Sequence, residues 1–151
     1  MLRRTYLGGA LAAVWGMLQG PALAQSERNL VSVWKTPTCG CCKAWIQHLE
    51  ANGFKVAAVD VPDTTPIRKD LKMPASLGSC HTAAVEGYVI EGHVPAREIK
   101  RLLKERPRAL GLAVPGMPIG SPGMEMGAKK DPYKVLLVID DGTTRVFKTY
   151  S

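Results

Sequence analysis

The chain has 151 residues, a length that fits one globular domain. Apolar residues make up 46% of the sequence and charged residues 22%, which excludes a coiled coil, a collagen-like chain and a disordered polyelectrolyte. The formal net charge is +7, but a nucleic-acid-binding protein needs a basic stripe with interleaved aromatic residues, and aromatic residues are only 6% here. We therefore expect no nucleic-acid partner.

The first residues have the pattern of an export signal. Arg3 and Arg4 form a basic start, an apolar run follows, and a small-x-small cleavage site ends at Ala24. The apolar run is short and broken by glycine, which favours a cleaved signal over a retained membrane anchor. We predict a signal peptide at 1–24, of the general or the twin-arginine type, and one mature domain at 25–151. The mature domain is then periplasmic and has no membrane span.

Periodicity predicts a strand, a helix and a second strand in the first third of the mature chain. Residues 30–34 form a short apolar run with β-branched residues, which is typical of a buried strand. A helix is predicted over 41–52, ended by Gly53, and a second strand over 54–61. The apolar face of this helix consists of Cys42, Trp45, Ile46 and Leu49.

The sequence pattern in the middle of the chain predicts a hairpin with one helix before it and one helix after it. A short helix begins at Thr65-Pro66, because proline suits the first helical position. Residues 82–85 and 88–90 form a hairpin across Glu86-Gly87. Pro95 then opens a helix that Pro107 ends.

The last part predicts a loop and a terminal hairpin. Residues 111–126 are rich in glycine, proline and methionine, and a long loop in a compact domain is usually functional or disordered. Its prolines and low charge favour a fixed loop. Strands at 134–139 and 145–150 should form a hairpin that adds to the edge of the sheet.

The four cysteines are Cys39, Cys41, Cys42 and Cys80. In an exported chain they would ordinarily form two disulfides, but three of them lie within four residues, where a bond would close almost no loop. Cys39 and Cys42 form a CxxC at the start of a helix, inside a strand–helix–strand unit, which is the thioredoxin-like pattern. The helix N-terminus favours thiolate over thiol. The fold class predicted is α/β, with a thioredoxin-like core and a mixed sheet.

Five segments of the mature chain carry distinctive motifs: Trp34 to Lys43, Ser79 to Ala83, Gly87 to Pro95, Gly111 to Pro118 and Ser121 to Glu125. Together they resemble the exported copper-resistance CopG family, over essentially the whole mature chain. The resemblance implies a thioredoxin-like periplasmic metal-binding protein whose cysteines bind copper, with a role in copper redox conversion.

The resemblance and the residue chemistry together predict a Cu(I) site that holds more than one ion. The four cysteines are the predicted ligands, with Cys80 facing the CxxC from the region where thioredoxin-like folds have a cis-proline. Thioether sulfur is also a soft ligand, so Met117 and Met124 are secondary candidates, although methionine also fills gaps in cores.

The three histidines differ in their predicted roles. His48 lies about two helical turns beyond the cysteines, roughly 10 Å along the axis, so we expect it to be solvated and outside the site. His81 adjoins Cys80, and in a regular strand the two would face opposite ways, so only a turn there would make His81 a ligand. His93 precedes a helix start, and helix capping is the expected role.

Three functions fit these observations, and the sequence does not decide among them. Copper binding, with or without Cu(I)/Cu(II) redox conversion and with other exported copper-handling proteins as partners, is the favoured hypothesis. A thiol–disulfide oxidoreductase would use Cys39 and Cys42 as catalytic residues but needs neither Cys41 nor Cys80. A structural zinc site or a disulfide-bonded interaction protein is the third hypothesis, although zinc prefers four separate ligands to an adjacent cysteine pair.

Overall fold

A computed structural model describes residues 29–151, and the predicted signal peptide lies outside these residues. Within them, seven strands form one mixed sheet in the order β2-β1-β3-β4-β5-β6-β7. The pairs β1–β2 and β4–β5 are parallel, and the other neighbouring pairs are antiparallel. In chain order the elements are β1 (Leu30–Lys35), α1 (Gly40–Ala51), β2 (Lys55–Asp60), α2 (Thr65–Asp70), a 3-10 turn (Ala75–Leu77), β3 (His81–Val85), β4 (Tyr88–Glu91), α3 (Ala96–Glu105), β5 (Gly111–Ala113), β6 (Tyr133–Val138) and β7 (Thr144–Tyr150).

The sheet buries apolar side chains on both faces. A larger cluster joins α1 and α3 to one face, with Trp45 and Ile99 fully buried among the side chains of the central strands. A smaller cluster around Met73 and Leu77 covers the other face. Alternation along β4 explains the division, because Val89 belongs to the smaller cluster and Ile90 to the larger one. The α/β class and the mixed sheet are confirmed, and the thioredoxin-like relationship stays a prediction.

The prediction of one continuous loop over 111–126 is wrong at its beginning. Residues Gly111–Ala113 form β5, which pairs in parallel with β4 and carries the terminal hairpin on its other side. The strand is three residues long and begins with glycine, so it carries almost no periodic signal. A Cβ atom at Gly111 would lie 1.7 Å from the carbonyl oxygen of Val89, and only glycine allows this approach.

None of the helices among residues 29–151 is long and apolar enough to span a membrane.

Candidate metal centre

The first three cysteines lie where β1 passes into α1. Cys39 is the N-cap of the helix, and its sulfur accepts a hydrogen bond from the backbone N–H of Cys42 at 3.3 Å. Helix N-termini leave backbone N–H groups without helical partners, so a sulfur atom at this position is stabilised in its negative form. The structure has these three cysteines at the start of a helix, as the sequence predicts.

A disulfide joins Cys39 and Cys42 in this structure, while Cys41 and Cys80 are free thiols. The disulfide spans three positions in the sequence and therefore connects no distant parts of the chain. A sulfur atom in a disulfide has no thiolate charge to offer a metal. All four cysteines are available as ligands only after this disulfide is reduced.

Cys80 lies against the cysteine turn, although 39 positions separate it from Cys41 in the sequence. The Cys41 sulfur is 3.7 Å from the Cys80 sulfur and 3.5 Å from the Cys39 sulfur. The sulfur atoms of all four cysteines lie within 4.8 Å of one another. We call these four residues the sulfur cluster. Its compactness depends on the pairing of β1 with β3, since β3 begins immediately after Cys80.

His81 approaches the same site because Cys80 is not part of the strand. Cys80 lies in a bend, and β3 begins at His81. The alternation of a regular strand therefore does not separate the two side chains, and the His81 Nδ1 atom is 3.4 Å from the Cys80 sulfur. The His81 ring is fully buried, and its Nε2 atom has no hydrogen-bond partner.

His93 lies at the site, and the prediction that it caps a helix is wrong. Its Nε2 atom is 3.0 Å from the Cys80 sulfur, and its Nδ1–H donates to the Pro122 carbonyl at 2.8 Å. The carbonyl bond fixes the tautomer, so the lone pair of Nε2 faces Cys80, an arrangement common in metal-binding histidines. Cys80, His81 and His93 form a second group of donor atoms within 4.8 Å of one another.

His48 performs the capping that the sequence assigned to His93. Its Nε2 atom accepts a hydrogen bond of 3.0 Å from the backbone N–H of Ala96, the first residue of α3. The side chain is half-buried, so the prediction of a solvated histidine is wrong. Burial lowers the pKa of His48, which keeps Nε2 available as an acceptor. His48 belongs to neither group of donor atoms among the described residues.

The variant His48→Ala is expected to destabilise the protein without changing copper binding. It removes the acceptor of one N-terminal N–H of α3, and loss of a helix cap costs about 1 kcal/mol. Urea denaturation should therefore show a lower midpoint, while a Cu(I) titration should give the wild-type number of ions. A clear loss of copper affinity in this variant would contradict the assignment of His48 to the helix cap.

Burial sets the protonation states at the centre. Burial, and after it the nearby Cys41, raises the pKa of Cys80 to about 12. Burial, and after it His93, lowers the pKa of His81 to about 3, and burial also lowers the pKa of His93. At neutral pH the metal-free centre therefore holds a protonated Cys80 thiol between two neutral imidazoles. A metal ion bound by these residues would replace the thiol proton and would meet imidazole nitrogens that already carry no charge.

The methionine-rich loop is fixed against the centre by its backbone. The Ser79 hydroxyl donates to the carbonyl of Gly116, next to Met117, and the Pro122 carbonyl holds His93. At Gly123 a Cβ atom would lie 2.7 Å from the carbonyl oxygen of Cys41, so this glycine allows the loop to lie directly on α1. Met117 is about half exposed. Ligation by Met117 and Met124 stays a prediction.

Comparison with known proteins places the chain in a family. A family described as "Protein of unknown function, DUF411" matches residues 77–124, which include Cys80, His81 and His93. A solved structure titled "Copper resistance protein copG- Form 2" is 47% identical, with a TM-score of 0.77, and the match covers 81% of this chain and 98% of that one. This chain belongs to the CopG family.

A second CopG structure gives the same result. The protein titled "Copper resistance protein copG- Form 1" is 48% identical, with a TM-score of 0.78, over 82% of this chain and 98% of that one. No curated protein sequence matches the chain. The CopG match extends over almost the whole length of both relatives, so the resemblance seen in the sequence motifs is confirmed.

Proposed function

We propose that this chain is an exported copper-binding protein of copper resistance that holds Cu(I) on the reduced sulfur cluster. The observation that carries the proposal is the approach of four cysteine sulfurs to within 4.8 Å of one another. Thiolates are soft ligands that suit Cu(I), and the two CopG relatives are titled copper resistance proteins, which supports copper rather than zinc.

The number of thiolates supports more than one Cu(I) ion per chain. Four sulfurs exceed what one linear or trigonal Cu(I) ion uses, and thiolates bridge between ions. The thioethers of Met117 and Met124 would add soft ligands from the loop, which is fixed beside the cluster.

The two buried histidines support conversion between Cu(I) and Cu(II). Imidazole nitrogen suits Cu(II) as well as Cu(I), and the Cys80 sulfur lies within 3.7 Å of the Cys41 sulfur and of ring nitrogens of both His81 and His93. Conversion moves one electron per ion, which other exported copper-handling proteins would supply or accept. The predicted signal peptide at 1–24 supports a periplasmic location for this function.

A second candidate function is thiol–disulfide exchange by Cys39 and Cys42. The disulfide between them at the helix start favours it, because oxidoreductases alternate between this bond and two thiols. This function makes no use of Cys80, and the two proposals can therefore be separated by one substitution.

The variant Cys80→Ser is expected to bind fewer Cu(I) ions than the wild type and to bind them more weakly. Serine keeps the size of the side chain but removes the soft ligand. We expect a loss of at least one ion per chain, and a fall in affinity beyond the roughly 10–100-fold that loss of an outer-shell partner costs. Anaerobic Cu(I) titration of the reduced protein, with native mass spectrometry, measures both quantities.

Disulfide reduction measured on the same samples separates the two functions. If the chain is an oxidoreductase, wild type and Cys80→Ser should both reduce insulin disulfides efficiently, because Cys39 and Cys42 are intact. Unchanged copper binding together with strong reductase activity in both proteins would reject the copper proposal in favour of the second candidate. His48→Ala is the matched control, since its imidazole lies outside the centre.

A further inference from the structure

A buried ion pair holds the backbone immediately before Cys80. The Glu91 carboxylate, at the end of β4, is fully buried and accepts a hydrogen bond of 2.7 Å from the backbone N–H of Ser79. Arg68, the buried residue of α2, donates from Nε to the same carboxylate at 2.9 Å and from Nη2 to the Ser79 carbonyl at 2.9 Å. Both backbone polar groups of Ser79 are therefore held by this one pair.

The same carboxylate also holds the residue that follows the Cys80–His81 segment. The second oxygen of Glu91 accepts a hydrogen bond of 2.7 Å from the Thr82 hydroxyl. One oxygen thus binds residue 79 and the other binds residue 82, on either side of the two candidate ligands. A single rigid group fixes both ends of the segment.

The arrangement exceeds what strand pairing alone requires. Thr82 already faces Glu91 in the register of β3 with β4, and the Gly92 N–H donates to the His81 carbonyl. Burying charged groups is costly, and apolar replacements of buried ion pairs are often neutral for stability or better. The extra bonds of the pair are directed to Ser79, which has no strand partner.

We propose that Glu91 and Arg68 are positioning residues that hold Cys80 against the cysteine turn. They restrain the two peptide groups that flank the Ser79 Cα atom, so the thiol of the next residue stays 3.7 Å from Cys41 and 3.0 Å from the His93 imidazole. The effect of this position of Cys80 on copper binding rests on the proposed function. The placement itself can be measured without copper.

The test compares Glu91→Gln and Arg68→Lys with a matched control, Glu98→Gln. Glu98 is also a buried glutamate, and it accepts hydrogen bonds from an arginine and a hydroxyl, those of Arg97 and Tyr150. It lies on α3 and makes none of the contacts to Ser79. In the Cys39–Cys42 disulfide form, Cys41 and Cys80 are the remaining thiols of the sequence. Treatment with iodoacetamide, followed by peptide mass spectrometry, measures the alkylation rate of each of these two thiols separately.

We expect the alkylation rate of Cys80 to rise at least about tenfold in both test variants, the effect of losing a hydrogen bond to a charged group. The rate of Cys41 in the same molecules should rise less than that of Cys80, because the Glu91–Arg68 pair makes no hydrogen bond to Cys41. Both rates in Glu98→Gln should stay within about twofold of wild type, because Glu98 makes no contact with Ser79. Cys41 serves as the internal reference, because general unfolding would expose both thiols together.

Copper binding by the reduced variants separates this inference from the proposed function. Selective exposure of Cys80 together with fewer bound Cu(I) ions supports both. Selective exposure with the wild-type number of ions supports the positioning role and rejects Cys80 as a ligand. Unchanged Cys80 reactivity in the test variants overturns the inference, as does an equal rise in Cys41 and Cys80. If Glu91→Gln does not fold, Arg68→Lys alone gives the same answers, since it keeps the positive charge beside Glu91.

Discussion

The disulfide form of the chain is expected to bind about one Cu(I) ion or none, while the reduced form binds several. The bond between Cys39 and Cys42 removes two of the four sulfurs from the cluster. Cys41 and Cys80 remain, with their sulfurs 3.7 Å apart, and two thiolates suffice for a single ion. The redox state of one disulfide would then set how much copper each chain carries.

Anaerobic titration against a competing Cu(I) chelator measures this difference directly. One sample is reduced with a phosphine that is then removed, and the other keeps the disulfide, as checked by mass. The double variant with Cys39→Ser and Cys42→Ser is the control. The number of Cu(I) ions that it binds per chain should be low, and it should be the same with and without reductant. Equal copper numbers in the reduced and disulfide forms of the wild type would contradict a four-sulfur site.

The metal-free chain is expected to lose stability as the pH falls below about 6.5, chiefly because of His81. Burial holds the pKa of His81 at about 3, against 6.5 for the unfolded side chain. Well above pH 6.5 the ring is neutral in both states, and its contribution to stability is fully present. Below that pH only the unfolded state takes up the proton, so stability falls with each further step toward pH 3.

From pH 6.5 to pH 4.5 this effect amounts to roughly 2 kcal/mol, because the slope reaches about 1.4 kcal/mol per pH unit only once the unfolded side chain is fully protonated. Urea denaturation at the two values measures it. His81→Phe is the control variant, because phenylalanine keeps an aromatic ring against Trp45 but cannot take up a proton. The expected outcome is a smaller loss of stability in the variant. The same loss in both proteins would show that His81 does not control the pH dependence.

The order of helices and strands was predictable because most of them carry a full period of apolar residues. Helix α1 buries Cys42, Trp45 and Leu49 on the face that the sequence indicates. Strand β5 was missed because three residues, one of them glycine, cannot show a period. Its existence depends on the close approach of Gly111 to Val89, a distance between strands that no local pattern contains.

The candidate site was predictable only where its residues are neighbours in the sequence or carry a motif. The cysteine turn and Cys80 followed from residue types and family motifs. His93 was assigned to a helix start by its position in the chain, whereas the structure directs it to Cys80 and gives the cap to His48, 48 residues away from Ala96. The Arg68–Glu91 pair joins α2 to β4. A charged side chain on a short helix is ordinarily expected to be exposed to solvent, so the sequence did not indicate this pair.

The packing of Trp45 puts an intrinsic fluorophore next to the candidate metal centre. The indole N–H donates to the carbonyl of Val94 at 2.9 Å, and the ring lies 4.3 Å, centre to centre, from that of His81. Indole fluorescence responds to charge and to heavy or paramagnetic atoms at such distances. A fully buried fluorophore thus lies against the histidine beside Cys80, and we expect its emission to change when the centre binds a metal ion, with no added dye.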